Sequence, residues 1–123
     1  MDVRSYRDLH VWQDAMDLAV ACYELTSGFP RAEMFGLSSQ IRRSSTSIAA
    51  NIAEGYGRQS TGAYIQFLRI AQGSLKELET YLLLSERVGL VTREAVTALL
   101  ASCESVGRML VALIRSLDRG SRP

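Results

Sequence analysis

Cysteine and proline are scarce in this chain of 123 residues, with two of each, which excludes a disulfide framework on one hand and a proline-rich or collagen-like chain on the other. Histidine occurs once, at His10. A multi-histidine metal site within one chain is therefore excluded, as is a His-based triad with a sequence-adjacent partner pattern. Lysine also occurs once, at Lys76, so 13 of the 14 basic residues are arginine. The planar fork of arginine suits phosphate and carboxylate alike, and a GC-rich coding bias accounts for the excess equally well. Hydrophobic residues make up 47% and charged residues 22%, a balance too apolar for disorder and too interrupted by charge for a membrane span. The length fits a single domain, residues 1–123, with one core and no room for a second. The opening stretch MDVRSYRDLHVWQDAM carries acids and bases where a secretory signal needs an apolar run, so the cytoplasm is the expected location. In that reducing compartment Cys22 and Cys103, each inside an apolar stripe, read as buried free thiols.

The net charge is only +1, which argues against indiscriminate nucleic-acid binding, but its distribution is uneven. Residues 1–30 hold Arg4 and Arg7 against five acids, residues 31–76 hold six bases against Glu33 and Glu54, and the remainder is neutral.

Hydrophobic spacing defines four helices, at about 8–27, 33–54, 62–87 and 92–118. In the first, Leu9, Trp12, Met16, Ala19 and Tyr23 step by three and four, and Val11, Ala15, Leu18, Cys22 and Leu25 form a second seam beside them. Asp8 is its expected cap, and Gly28 and Pro30 end it. His10, Asp14, Asp17 and Glu24 make one polar stripe on this helix. Leu37, Ile41, Ile48 and Ile52 mark the second helix, whose other positions are small, and Gly55 and Gly57 break its pattern. Ser60 or Thr61 caps the third, which carries Tyr64, Leu68, Ala71, Leu75, Leu78 and Leu82 plus a second flank of Phe67, Ile70, Tyr81 and Leu84. Gly89 followed by Leu90 reads as a left-handed stop. The fourth helix, starting at Thr92, repeats Val96, Leu99, Cys103, Val106, Leu110, Leu113 and Leu117. The tail from Arg119 to Pro123 is expected to fray.

Short connections between long helices favour antiparallel neighbours, so the expected fold is all-α, an up-down-up-down four-helix bundle. Helices one and three are more apolar than a small bundle needs, roughly three positions per heptad, and a subunit partner is the simplest cover for the excess.

Between Phe29 and Leu84 the motifs FP, E.FGL, QIRRS, SI..NIAEG and FL.IA.GSL.E follow one another, with L.VW..A and Tyr23 upstream and GL after the third helix. Over about residues 9–90 the sequence resembles the four-helix-bundle family named after the intervening-sequence protein of large-subunit ribosomal RNA genes. The resemblance implies an antiparallel bundle assembled into a ring, usually a pentamer, with no established enzymatic activity. It extends to the accessory variability protein of diversity-generating retroelements, whose barrel presents basic residues to RNA or DNA and to a reverse transcriptase. Two departures stand out: SSTS at 44–47 is more hydroxyl-rich than the family's small apolar residues, and Ala63 stands where a charge is common.

Candidate contacts with nucleic acid are arginine-rich. At about 100° per residue, Arg69, Lys76 and Arg87 fall within about 20° of one line. They form either a phosphate-tracking strip or a salt-bridge seam with Asp14, Asp17 and Glu24, within or between subunits. Arg42 and Arg43 lie near the start of helix two, and Arg43 shares a face with Ser47, Ala50 and Glu54. Arg58 sits in the loop GYGRQSTG, just before a helix N-terminus whose amides favour anions. Tyr56 and Tyr64 flank that loop and are candidates for base stacking. The loop is not a P-loop, because Ala63 and Tyr64 stand where Lys and Ser or Thr are required. In NIAEG, which closes on Gly55, Asn51 is expected to bond a neighbouring carbonyl or hydroxyl and Glu54 to pair with Arg43 or Arg58. No catalytic residue, cofactor or metal is indicated, and the reading is a non-enzymatic scaffold or binding protein, with a purely protein-protein scaffold as its rival.

Overall fold

A computed structural model describes residues 2–120, and Ser121, Arg122 and Pro123 of the tail lie outside the described residues. Four α-helices carry the fold: α1 (His10–Ser27), α2 (Leu37–Tyr56), α3 (Thr61–Arg87) and α4 (Arg93–Asp118), with short 3-10 turns at Tyr6–Asp8 and Arg31–Glu33. No strand occurs among the described residues. In packing order α1 meets α2 and α4, and α3 meets α2 and α4, while no Cα of α1 comes within 8 Å of one in α3, nor α2 of α4. The helices therefore occupy the corners of a square, with α1 and α3 on one diagonal.

Side-chain caps fix the starts of α3 and α4. Ser60 Oγ accepts from the Ala63 amide at 3.1 Å and Thr92 Oγ1 from the Ala95 amide at 3.2 Å, satisfying N-terminal donors that would otherwise be orphaned. Gly89, at φ +81°, ends α3 in the left-handed region while the Leu90 amide returns to the Ser85 carbonyl at 2.9 Å. Asp8 does not cap α1. Its carboxylate instead accepts from the Arg4 and Ser5 amides, closing a capping box on the preceding 3-10 turn, and α1 begins after Leu9 without a side-chain cap. Helix α2 starts at Leu37 rather than 33, because residues 31–33 form a separate turn.

Gly55 does not break α2. It is a buried helical residue, and a Cβ there would sit 2.9 Å from Phe67 Cβ and 3.1 Å from the Tyr64 carbonyl oxygen. Glycine is thus what lets α2 lie close against α3. Farther along the same contact Ser47 and Ser74 hydroxyls meet at 2.8 Å, and Arg43 reaches Glu77 at 3.2 Å.

The core is built from one stripe of each helix, including Leu18, Ile41, Ile48, Ile52, Leu68, Leu78, Leu82 and Leu110, all with almost no exposure. Burying each such side chain contributes about 1.5–3 kcal/mol. In α4 the buried series ends on Ile114 and Leu117, with Leu113 only half-buried. A straight helix of 3.6 residues per turn drifts away from a strict seven-residue seam, which moves the last contact from 113 to 114. Ser44 and Ser45, also fully buried, turn their hydroxyls back to the Gln40 and Arg42 carbonyls at 2.8 and 3.0 Å. The hydroxyls of Ser44, Ser45 and Thr46 are thereby satisfied within α2, and that of Ser47 meets Ser74 on α3.

Interruption by charge does not by itself exclude a membrane span, because α4 is long and apolar enough to cross a bilayer by length and composition. Its apolar stripe is nevertheless the one buried in the bundle, from Val96 to Leu117.

Candidate functional site

The arginines singled out in the sequence separate into two groups. Arg42 is drawn into the α1–α2 junction: its Nε donates to Thr26 Oγ1 at 2.8 Å and its guanidinium lies 4.6 Å from the centre of the Tyr23 ring. Arg43 donates to Gln40 Oε1 at 3.2 and 2.8 Å besides pairing with Glu77. Arg58 folds back from its loop, pairing with Glu54 at 3.3 Å and covering the Phe67 ring at 4.7 Å. Glu54 therefore pairs with Arg58, and Arg43 finds its carboxylate on α3 instead. Asn51 Nδ2 donates to both the carbonyl and the hydroxyl of Ser47, at 2.8 and 3.0 Å.

Base stacking by Tyr64 is excluded by its complete burial in the core. Tyr56, half-buried, packs edge-on against it with ring centroids 6.0 Å apart. The aromatics beside the loop belong to the interior.

The outer line of α3 is different. Arg69, Lys76 and Arg87 are all exposed. Lys76 pairs with Glu79 on its own helix at 3.1 Å, whereas neither Arg69 nor Arg87 has an ion pair among the described residues. By helical rise the three span about 27 Å. The acids that a salt-bridge seam within one chain requires, Asp14, Asp17 and Glu24, lie on α1 at the opposite corner, are likewise exposed and have no ion pair among the described residues. The intrachain version of that seam does not form.

Apolar surface is also left over. On α1, Met16, Val20 and Tyr23 are 40%, 54% and 45% exposed, although Ala19 beside them is buried. With Trp12 they wall a groove of about 570 Å³ whose α2 side is made of Thr46, Ala49, Ala50 and Ala53. Trp12 itself is half-buried, held edge-on by Tyr6 at 5.3 Å. On α3, Ile70, Leu83 and Leu84 are exposed to a similar degree. A second groove, about 750 Å³, runs between α3 and α4, where Gly73 and Gly107 leave room beneath Lys76, Glu104, Arg108 and Arg115. Three of those four charges are already matched, Lys76 by Glu79, and Glu104 and Arg108 by each other at 3.0 Å.

Among the described residues no cluster of His, Cys, Asp or Glu is arranged to hold a metal ion. Cys22 and Cys103 are free and fully buried. Removal from water pushes the Cys22 thiol up to about 11, against a weaker opposing hydrogen bond with Ser45, and pushes Cys103 up to about 12 with the Cys22 charge adding to the rise. Both stay protonated and unreactive near neutrality.

The profile of the 23S rRNA-intervening sequence protein family matches residues 7–112. The chain belongs to that family. Among solved structures it is similar to a protein of unknown function from the S23 ribosomal protein family of Bacteroides thetaiotaomicron, with 31% identity and a TM-score of 0.76 over 85% of this chain and 97% of the other. No curated protein is significantly similar to it.

Proposed function

We propose that this member of the intervening-sequence protein family is a non-enzymatic scaffold whose copies assemble, each subunit an up-down-up-down antiparallel bundle, into a closed ring in the cytoplasm. The antiparallel reading is supported by the α2–α3 contacts, in which Gly55 lies by Tyr64 and Phe67, Ser47 by Ser74 and Arg43 by Glu77. Positions rise along one helix as they fall along the other. The observation that carries the assembly is the uncovered flank of α1, where Met16, Val20 and Tyr23 stand exposed along one apolar groove. Monomers rarely leave such contiguous surface to water. A pentamer is the number that the sequence resemblance implies.

The non-enzymatic reading draws support from how the best candidate groups are used. Glu54 is tied to Arg58, Asn51 to Ser47, and the two thiols are buried. Light scattering of the purified protein tests the proposal. A mass several times that of one 13.6 kDa chain is expected, and a single copy at high concentration refutes it.

A second reading, contact with nucleic acid, is favoured by Arg69 and Arg87 on the exposed line of α3, neither of which has an ion pair among the described residues. Repetition of the strip around a ring would multiply weak phosphate contacts into avidity. Gel shift of labelled RNA and DNA across a salt series tests it. Binding that weakens with salt, and is lost when Arg69, Lys76 and Arg87 become alanine, supports a nucleic-acid surface. Absence of a shift at low salt removes it, and with it any reverse transcriptase partner reached through nucleic acid.

A further inference from the structure

We infer that the uncovered apolar face of α1 in one copy docks on the outer face of α3 in the next, and that the acids of α1 and the bases of α3 set the register. This rests on the proposed assembly and states which two surfaces meet.

The occupant of the α1 face is identified by charge. Its exposed apolar residues Met16, Val20 and Tyr23 are edged by Asp17 and Glu24, neither of which has an ion pair among the described residues. A partner for such a face needs apolar side chains bordered by bases. The α3 face of this chain has that composition: Ile70, Leu83 and Leu84 are exposed beside Arg69, Lys76 and Arg87, and two of those three bases have no ion pair among the described residues. Spacing agrees as well. Asp17 and Glu24 are seven residues apart, as are Arg69 and Lys76, so each pair lies on one line of its helix and spans about 10.5 Å by helical rise. Both contacts can form in one register.

The position of the helices decides the kind of contact. Because α1 and α3 occupy one diagonal, the two faces look out on opposite sides of the bundle. One copy can then use its α1 face toward one neighbour and its α3 face toward another. That contact is heterologous, and it yields a ring when the rotation closes, whereas a two-fold dimer would set acid against acid or base against base. Nucleic acid is the competing occupant of the α3 strip, but it leaves the apolar flank and the unpaired acids of α1 uncovered.

The experiment exchanges the charges. In the full chain, one variant carries Asp17→Arg and Glu24→Arg, a second carries Arg69→Glu and Lys76→Glu, and a third combines all four. Size exclusion with light scattering reports the mass across concentration, and circular dichroism confirms that each variant remains helical; these are all surface positions. Each two-site variant is expected to self-associate at least about tenfold more weakly than the parent, since like charges then face each other. The four-site variant, with the pairing restored in reverse, is expected to recover most of the parental mass. Undiminished assembly of the two-site variants, or no recovery in the four-site variant, overturns the inference while leaving assembly itself intact. A monomeric parent overturns both. If Arg69→Glu with Lys76→Glu abolishes RNA binding without altering the mass, the strip belongs to nucleic acid and the inference fails.

Discussion

Replacing Gly55 by alanine places a methyl group where α2 approaches α3 most closely, 2.9 Å from Phe67 Cβ and 3.1 Å from both Tyr64 Cδ1 and the Tyr64 carbonyl oxygen. Two effects oppose each other. Within a helix, alanine is favoured over glycine by about 1 kcal/mol, whereas forcing a methyl into a packed contact costs about 1–3 kcal/mol. The upper part of that range applies, because two of the three neighbours are a backbone atom and a Cβ, neither of which can swing aside. A net loss of about 1–2 kcal/mol follows, equivalent to a fall of roughly 4–8 °C in midpoint for a chain of this length. Gly73 provides the opposite sign: it is exposed in the middle of α3 and its Cβ would meet nothing within 4 Å. Gly73→Ala is therefore expected to gain up to about 1 kcal/mol. Urea and thermal melts of the two variants and the parent, at one protein concentration because assembly shifts apparent stability, separate the effects. If Gly55→Ala melts at or above the parent, the close packing of α2 on α3 is wrong.

Removing the Arg42 guanidinium with Arg42→Met should cost about 1–2 kcal/mol in a urea melt, because the buried Thr26 loses a donor at 2.8 Å and Tyr23 loses a stacked cation. The thiols give a pH dependence. Folding holds Cys22 and Cys103 protonated up to about 11 and 12, against an ordinary value of 9.0. Their contribution is complete below pH 9 and is lost as pH rises toward 11–12, where the unfolded chain releases protons that the folded chain keeps. Within that window each thiol steepens the loss by about 1.4 kcal/mol per pH unit. The decline in urea midpoint above pH 9 should accordingly be shallower when both are alanine. At pH 8, alkylation of the thiols by iodoacetamide should follow the rate of opening, and labelling as fast as that of an exposed cysteine would refute their burial.

Four helices were legible from spacing because each buries a stripe that repeats every three or four residues, and Tyr64, Leu68, Ala71, Leu75, Leu78 and Leu82 are all buried in the seam that the pattern assigned them. Boundaries governed by side-chain competition were less legible. Asp8 precedes an apolar run and so reads as the cap of α1, but Ser5 three residues earlier offers a competing capping box, and the carboxylate goes there. Gly55 reads as a stop because glycine is a poor helix former. Its tertiary role, the closeness of Phe67 and Tyr64, depends on residues about ten positions away on another helix. For Tyr64 the α3 seam already placed the ring inside; the nearby loop suggested a second use that burial excludes.

Pairing among charges shows the same division between pattern and placement. The sequence offers the bases from Arg42 to Arg87 as candidate phosphate contacts, yet Arg42, Arg43 and Arg58 sit on or beside the α1–α2 and α2–α3 seams and find Thr26, Glu77 and Glu54 within reach. Arg69 and Arg87 point away from both neighbours of α3. What distinguishes them is the angle around the helix, about 100° per residue, counted from the buried stripe rather than from the sequence. The acids of α1 obey the same geometry on the other corner of the bundle. The acids of α1 and the line of Arg69 and Arg87, none of them ion-paired among the described residues and kept apart within one chain by the diagonal that separates α1 from α3, can meet only between chains. The placement that prevents them from stabilising the monomer is thus the placement that would make them selective for a second copy in one orientation.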